Sequence, residues 1–400
     1  MCRANKSLLW LIYNRIVLLA NLSQLPTRAV PRAHLVGLLL HYMSEEPVAN
    51  VAPQEFFFEG AEKLLEIWFE DIGEANSLRQ IPRDKLVEML ALASCHILHC
   101  KSNSYIDSYV LSESSMFISD RRFILKTCGN TQLLATVDKI MQLAREYSGM
   151  DAVANVYYSR KNFLKPNLQP VMHRCFDEEV QQLDNYFSDG GAFCMGSLKQ
   201  DRWYLYTLNS PQSHPICSDH TLEMLMSDVP PDILQTYSMT ECKTAEECTK
   251  KGGILQLLPA GAVTHEELFE PVGYSMNALL PDSDQYFTIH ITPQPEFSFV
   301  SFETNQQRQC LYKQTLKVLD CFKPNKFMVT IFSNELSPNG QETQERIWKH
   351  DIPGYKRTNL QFLRLQYDTL VYAQYVKNES NFTKIRRLIE EEETSNESDG

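Results

Sequence analysis

The sequence predicts an α+β layered sandwich, with antiparallel sheets covered on one face by helices. Three observations lead there. Strand-like runs come in adjacent pairs, not singly between helices, which favours hairpins over a parallel βαβ sheet. Amphipathic helical stretches follow the paired strands. The chain also has 400 residues, 43% of them hydrophobic, enough for a sizeable core. Two strands and then a helix recur in each half, which hints at an internal duplication.

The chain opens with an apolar run, SLLWLIYNRIVLLANL (7–22), broken by Asn14-Arg15. It is too short and too interrupted to span a bilayer, and no cysteine pattern supports secretion. Residues 1–50 therefore read as a dispensable or disordered extension, with Met43 as a second candidate start and a targeting signal as the alternative. A single folded domain is expected over 51–385. In GAEKLLEIWFE, Ala61, Leu64, Leu65, Trp68 and Phe69 recur at helical spacing, which predicts a helix. Strands are expected at about 94–100, 105–118 and 122–128. NTQLLATVDKIMQLAREYSG predicts a helix with Asn130 capping its start and Gly149 its end. The polar stretch 160–200 reads as a connecting loop. DRWYLYTLN (201–209) predicts a strand, and DHTLEMLMSDV (219–229) a helix opened by Asp219. QYFTIHITP and FSFVSFETN predict strands, QQRQCLYKQTLKVLDCF a helix, and KFMVTIFSN and LQYDTLVYAQYV further strands. Residues 386–400, RRLIEEEETSNESDG, predict an acidic disordered tail.

The formal net charge of −12 argues against nucleic acid or an anionic membrane as partner and suits cationic ligands. The 11 cysteines are odd in number and form no CxxC pair, which predicts reduced thiols and a cytoplasmic location. No metal site is expected: Cys242 and Cys248 are followed by no His pair at ligand spacing. The Asn-x-Ser/Thr matches at Asn378, Asn381 and Asn396 carry no weight in a cytosolic chain.

YVLSESSMFIS (109–119) sets three hydroxyls and a carboxylate between two apolar runs. Such residues are poor strand material. Taken alone, Ser112-Glu113-Ser114-Ser115 reads as a tight turn with local hydrogen bonds. No GxSxG elbow points to a hydrolase.

A more specific reading comes from LSESSMF together with FFFEGAEKLLEIWF, YVLSESSMFISDRRFILKTCG, YYSRKNFLKP, WYLYTLNSP, FEPVGYSMN and YFTIHITPQPEFSFVSFETN. In this order they resemble the blocks of the eukaryotic S-adenosylmethionine decarboxylases, over about residues 55–375. The resemblance implies a four-layer αββα sandwich and a proenzyme that cleaves itself between Glu113 and Ser114. A small chain would end at Glu113, and Ser114 would become a pyruvoyl group, the enzyme's own cofactor, at the head of the large chain. Self-cleavage needs strain and exclusion of water at the cleaved bond, which accounts for polar residues held between buried strands. The implied activity is decarboxylation of S-adenosylmethionine, supplying aminopropyl groups for spermidine and spermine. A ketone that condenses with the substrate amine delocalises the carbanion left by carbon dioxide, so no added cofactor is required.

By this resemblance Cys128 in KTCG is the proton donor, against the commoner fate of a buried structural thiol. Ser275 in GYSMN would steady the tetrahedral intermediate, and His290 in TIHIT would take the Ser114 Cα proton. Glu59 and Glu62 match acidic residues of the site, although Glu62 could be a solvated charge on a helix face. Phe58 and Phe269 match the rings that sandwich the adenine, where ordinary core packing is the structural alternative. Leu111 and Glu113 complete the implied substrate contacts. Gln294 stands where the family carries a ribose-binding carboxylate, which removes a charge-assisted bond. Val272 replaces a family cysteine.

A second constellation, Glu66, Asp219, Thr221, Glu223 and Glu303 with Lys126, Tyr157, Phe332 and Tyr367, matches the family's interior putrescine site. Clustered buried carboxylates need cations, and a diamine supplies two. Putrescine activation is the implied consequence, with a homodimer of processed chains as the assembly. Two rivals remain: a catalytically inactive regulatory subunit of the same fold, and a ligand-binding scaffold.

Overall fold

The structure, a computed structural model, describes residues 58–70, 76–211, 214–270, 272–294, 297–307, 310–378 and 385. The expectations for residues 1–50 and 386–400 lie outside the described residues, as do Asn381 and Asn396. The first half contributes β1 (Lys63–Phe69), β2 (Ile97–Ser102), β3 (Ile106–Leu111), β4 (Ser114–Ser119), β5 (Arg122–Thr127), β6 (Val153–Lys161), β7 (Gly190–Met195) and β8 (Trp203–Leu208). Its helices are α1 (Arg83–Leu92), α2 (Val137–Ser148) and α3 (Phe176–Asp184). The second half contributes β9 (His220–Ser227), β10 (Val263–Leu268), β11 (Tyr274–Leu279), β12 (Tyr286–Thr292), β13 (Phe299–Thr304), β14 (Lys326–Asn334), β15 (Tyr355–Arg364) and β16 (Asp368–Lys377). Its helices are α4 (Pro231–Gln235), α5 (Ala245–Lys251), α6 (Leu311–Phe322) and α7 (Pro338–Lys349).

Each half forms one 8-stranded antiparallel sheet. The orders are β2-β3-β4-β5-β1-β6-β8-β7 and β10-β11-β12-β13-β9-β14-β16-β15. Moving every strand of the first order on by one full sheet of 8 gives the second, so the duplication is written in the topology.

Alternation along the strands builds the layers. Leu65 and Ile67 of β1 turn outward and pack with Met89 and Leu90 of α1 and Ile140 and Leu143 of α2. Leu222 and Met224 of β9 pack likewise with Leu316 and Leu319 of α6 and Ile347 of α7. The opposite faces of the two sheets meet each other, for example where Phe117 stacks on Tyr286 at 4.3 Å. This is the four-layer αββα sandwich expected above. Its middle layer is unusually polar. Glu66, Arg122, Lys126, Glu223, Thr288, His290 and Glu303 are all buried.

That layer explains two misread elements. GAEKLLEIWFE forms strand β1 and DHTLEMLMSDV forms strand β9; neither is a helix. Glu62 and Glu66, and Thr221 and Glu223, occupy positions of the inward face, where an ordinary strand would be apolar. The apolar residues that remain then mimic a helical stripe. Asp219 accordingly leads into a strand and caps no helix. The stretch 160–200 is not a plain loop but holds α3 and the edge strand β7, half exposed and therefore without an apolar alternation. Asn130 is not the cap of α2: Thr136 occupies that position after a 3-10 turn over Leu133–Thr136. Gly149 does close α2, left-handed at φ 67°. The run 105–118 divides into β3 and β4 around a two-residue turn, with Leu111 opposite Ser114.

Candidate active site

The β3–β4 turn, Ser112-Glu113, is pinned from outside. The His96 amide donates to Ser112 Oγ at 3.2 Å, and the Ser112 amide donates to the His96 carbonyl at 2.9 Å. Ser114 then starts β4 at φ 110°, a region that side chains other than glycine rarely enter. Such a residue stores on the order of 1–3 kcal/mol. Its hydroxyl is buried and donates to Glu62 Oε1 at 2.6 Å. The carbonyl of Glu113, on the other side of the same peptide bond, accepts from the Cys128 amide at 3.2 Å. A strained bond, a hydroxyl aimed at a carboxylate and a carbonyl held by an N–H donor therefore coincide.

Charge at this point is set from both sheets. Burial pushes the Glu62 carboxyl up, but the Lys126 ammonium, His290 and the Ser114 hydroxyl outweigh it and hold the group below its usual range. Lys126 Nζ lies 3.5 Å from Glu62 Oε2, and His290 Nε2 lies 3.6 Å from Glu62 Oε1. Burial pushes His290 down to about 4, so its ring is neutral at neutral pH. Its Nδ1 shares a hydrogen with Ser275 Oγ at 2.8 Å. The β11–β12 register places Ser275 directly opposite His290. Glu62, Ser114, Ser275 and His290 are thus brought together.

Cys128 and Glu113 stand beside them. Burial first, then the neighbouring carboxyls of Glu113 and Glu62, pushes the Cys128 thiol well up. Its Sγ lies 3.9 Å from Glu113 Oε2, and burial pushes that carboxyl up to about 7. Lys63, unremarked in the sequence, is fully buried on the helix-facing side of β1 and pushed down to about 8 by that burial. Its ammonium donates to the Gly129 carbonyl at 3.1 Å. Glu59 is engaged elsewhere: its carboxylate accepts from the amides of Leu164 at 2.5 Å and Lys165 at 3.3 Å. It ties that loop to the site and does not touch Ser114. Phe58 lies over Gly129, where φ is 60° and an added Cβ would fall 2.6 Å from Phe58 Cε2. Phe269 flanks Gly273, whose carbonyl accepts the Phe269 amide at 2.8 Å. The Leu111 side chain belongs to the apolar core under α1 and α2, away from the middle layer. Gln294 is half-buried just beyond β12.

The second constellation surrounds a cavity of 50 Å³ between the sheets, lined by Glu66, Tyr157, Asp219, Thr221, Glu223, Glu303 and Phe332 among others. Lys126 joins it to the first site, with Nζ 2.7 Å from Glu303 and 3.7 Å from Glu223 as well as near Glu62. Arg122 binds Glu66 through two nitrogens at 2.8 and 3.0 Å. Burial pushes Glu66 and Asp219 up, and Glu223 up to about 7. Tyr157 meets Phe332 edge-on at 5.0 Å. Tyr367 lies instead in an adjoining cavity of 120 Å³ that shares Tyr157 and Asp219 with the inner one. Its neighbour Asp368 turns inward and accepts from the Tyr157 hydroxyl at 3.2 Å; burial pushes it up to about 7. Arg122 and Asp368 escaped the sequence reading. The signal for Arg122 was its place four residues before Lys126, on the same face of one strand. Among the described residues no group of side chains could hold a metal ion.

A strained hairpin buried against ionised side chains, beside a charged interior cavity, has the make-up of an enzyme's active site. A family model described as adenosylmethionine decarboxylase matches residues 55–376. The chain is 56% identical over 331 residues to the S-adenosylmethionine decarboxylase proenzyme of Caenorhabditis elegans, covering 82% of this chain and 90% of that one. It is 53% identical over 336 residues to the proenzyme of the same name from Onchocerca volvulus, covering 84% and 92%. The Trypanosoma brucei AdoMetDC-delta26 monomer superposes with a TM-score of 0.51 at 23% identity, covering 66% of this chain and 99% of that one, and supports the fold alone. The chain belongs to the adenosylmethionine decarboxylase family.

Proposed function

We propose that the chain cleaves itself between Glu113 and Ser114, and that the processed enzyme decarboxylates S-adenosylmethionine using the group so formed. The observation that carries this reading is Ser114: left-handed at φ 110°, with its hydroxyl 2.6 Å from an ionised carboxylate. Glu62 takes the hydroxyl proton as Oγ attacks the Glu113 carbonyl carbon. The Cys128 amide steadies the oxygen as it gains charge. The C–N bond breaks, the Ser114 nitrogen takes up the proton, and an ester replaces the peptide. His290 then accepts the Ser114 Cα proton. The Cβ–Oγ bond breaks with the Glu113 carboxylate as leaving group, and water displaces ammonia from the remaining enamine to give the pyruvoyl group.

A ketone at this position supplies the electron sink that decarboxylation requires. The residues present fit it, because position 114 is buried, walled by Glu62 and Cys128, and reached from the loops that carry Phe58 and Phe269. Those rings would hold the adenine and face the sulfonium. Gln294 would meet the ribose. Cys128 keeps its proton at neutral pH, as an acid that protonates carbon must.

The inner cavity would take putrescine. Glu66, Asp219, Glu223 and Glu303 line it against Lys126 and Arg122, and the two charges left over match those of a diamine. The product would feed spermidine and spermine formation, from a cytoplasmic homodimer of processed chains. No described helix is long and apolar enough to cross a membrane. An inactive subunit would have no use for the strained hairpin.

The test is intact mass under denaturing conditions, for the full chain and for Ser114→Ala. Two chains divided at Glu113/Ser114, the larger carrying a pyruvoyl mass, are expected from the first and one chain from the second. A single chain from the unaltered sequence, with putrescine present, would overturn the reading.

A further inference from the structure

We propose that Asn277 is a positioning residue that decides which nitrogen of His290 is basic, acting through Ser115. The proposal rests on the reading of His290 as the base of self-cleavage. Asn277 is fully buried on β11. Its Nδ2 donates to the Tyr109 carbonyl at 3.1 Å, which fixes the amide and turns Oδ1 toward β4. Ser115 Oγ donates its single proton to that Oδ1 at 2.8 Å. The same Oγ lies 3.1 Å from His290 Nε2, so it presents a lone pair there.

Glu62 Oε1, an acceptor only, stands at 3.6 Å and agrees, while Thr288 Oγ1 at 2.8 Å can accept or donate and suits either tautomer. A neutral imidazole carries one hydrogen, and here it belongs on Nε2. Nδ1 is then bare and accepts the Ser275 hydroxyl. Any proton that His290 takes enters at Nδ1, on the Ser275 side. Ser275 acquires a second task, since its hydroxyl covers the basic lone pair and must turn aside for the transfer.

The experiment is nitrogen-15 NMR of the full-length, uncleaved Ser114→Ala chain labelled at histidine, with His290→Gln in the same background to assign the signals. A protonated, pyrrole-type Nε2 and a bare, pyridine-type Nδ1 are expected. Asn277→Leu frees the Ser115 proton to bond Nε2, so the two signals exchange character. Asn277→Asp keeps the acceptor and the original pattern. A bare Nε2 in the parent, or an unchanged pattern in a folded Asn277→Leu, would overturn the assignment.

With Ser114 restored, Asn277→Leu should slow self-cleavage by about 10²-fold, the lower range for a general base. The ester should then accumulate as a hydroxylamine-sensitive species. Asn277→Asp should cleave faster than Asn277→Leu; equal rates in two folded variants count against the proposal. If His290→Ala cleaves at the parent rate, the base reading fails on its own, while the NMR pattern still reports on Asn277.

Discussion

Putrescine binding should tighten steeply as pH rises from 6 to 8. Burial pushes Glu223, which lines the inner cavity, and Asp368, which bonds Tyr157 in its wall, each up to about 7. Glu223 faces Lys126, Glu303 and Glu62; Asp368 faces Asp219, Tyr157 and Glu66. A carboxyl with that pKa is about nine-tenths protonated at pH 6 and about one-tenth at pH 8. A diamine keeps both charges throughout this range, as a lysine does. Once bound, it disfavours the protons and returns the carboxyls toward their ordinary values. Binding therefore releases protons, and the affinity rises with pH, about tenfold for each group. The two together give about a hundredfold, or about 2.7 kcal/mol. Titration calorimetry of uncleaved Ser114→Ala at pH 6, 7 and 8, in two buffers of different protonation enthalpy, measures both affinity and protons released. At pH 7 the count should be about one, half from each group. Asp368→Asn should leave about tenfold of the slope. An affinity that is flat in pH, or proton uptake on binding, would refute the charge accounting of the cavity.

Two further outcomes follow from single positions. Gly129→Ala places a Cβ 2.6 Å from Phe58 Cε2 and forces alanine into φ 60°, a region costing it about 1–2 kcal/mol. The Phe58 ring should be displaced, and KM for S-adenosylmethionine should rise more than kcat falls in steady-state assays of carbon dioxide release. Cys128→Ala keeps the backbone amide that holds the Glu113 carbonyl but loses the thiol. Cleavage should continue on denaturing gels, while turnover falls by about 10²- to 10⁴-fold, the usual worth of a general acid. Unchanged turnover would remove Cys128 as proton donor.

The sequence was most legible where the layers obey ordinary alternation. The hairpin β12–β13, helix α6 and strands β14 and β16 all stand where period and flanks put them. It misled where the middle layer carries charge. In and just before β1 the inward positions Glu66 and Glu62 were read as the polar side of a helix, because a strand with ionised residues on its buried face has no apolar alternation to show. At the site, the linear segments around Ser114, Cys128 and His290 were visible, since each is a short motif. The supports were not. Ser115 reaches Asn277 and His290 across 162 and 175 residues of chain, and no local pattern records such contacts. The aromatic at 367 and the acid at 368 show the same limit. Which of two adjacent side chains faces the cavity depends on the strand register, and here Asp368 heads β16 with its carboxyl turned in.

The two sites are not independent, because one ammonium serves both. Lys126 Nζ sits 2.7 Å from Glu303, 3.7 Å from Glu223 and 3.5 Å from Glu62. Its charge is divided among three carboxylates, and Glu62 is the one that holds the Ser114 hydroxyl. A dication in the cavity would take over part of the neutralisation of Glu303 and Glu223. Lys126 would then be freer to serve Glu62, and the proposed coupling would need no rearrangement of the sheets. The path is electrostatic and short, running across the middle layer and not through the helices. On the function proposed above, a diamine in the cavity would act on self-cleavage and turnover alike, since Glu62 would line the reacting position in both.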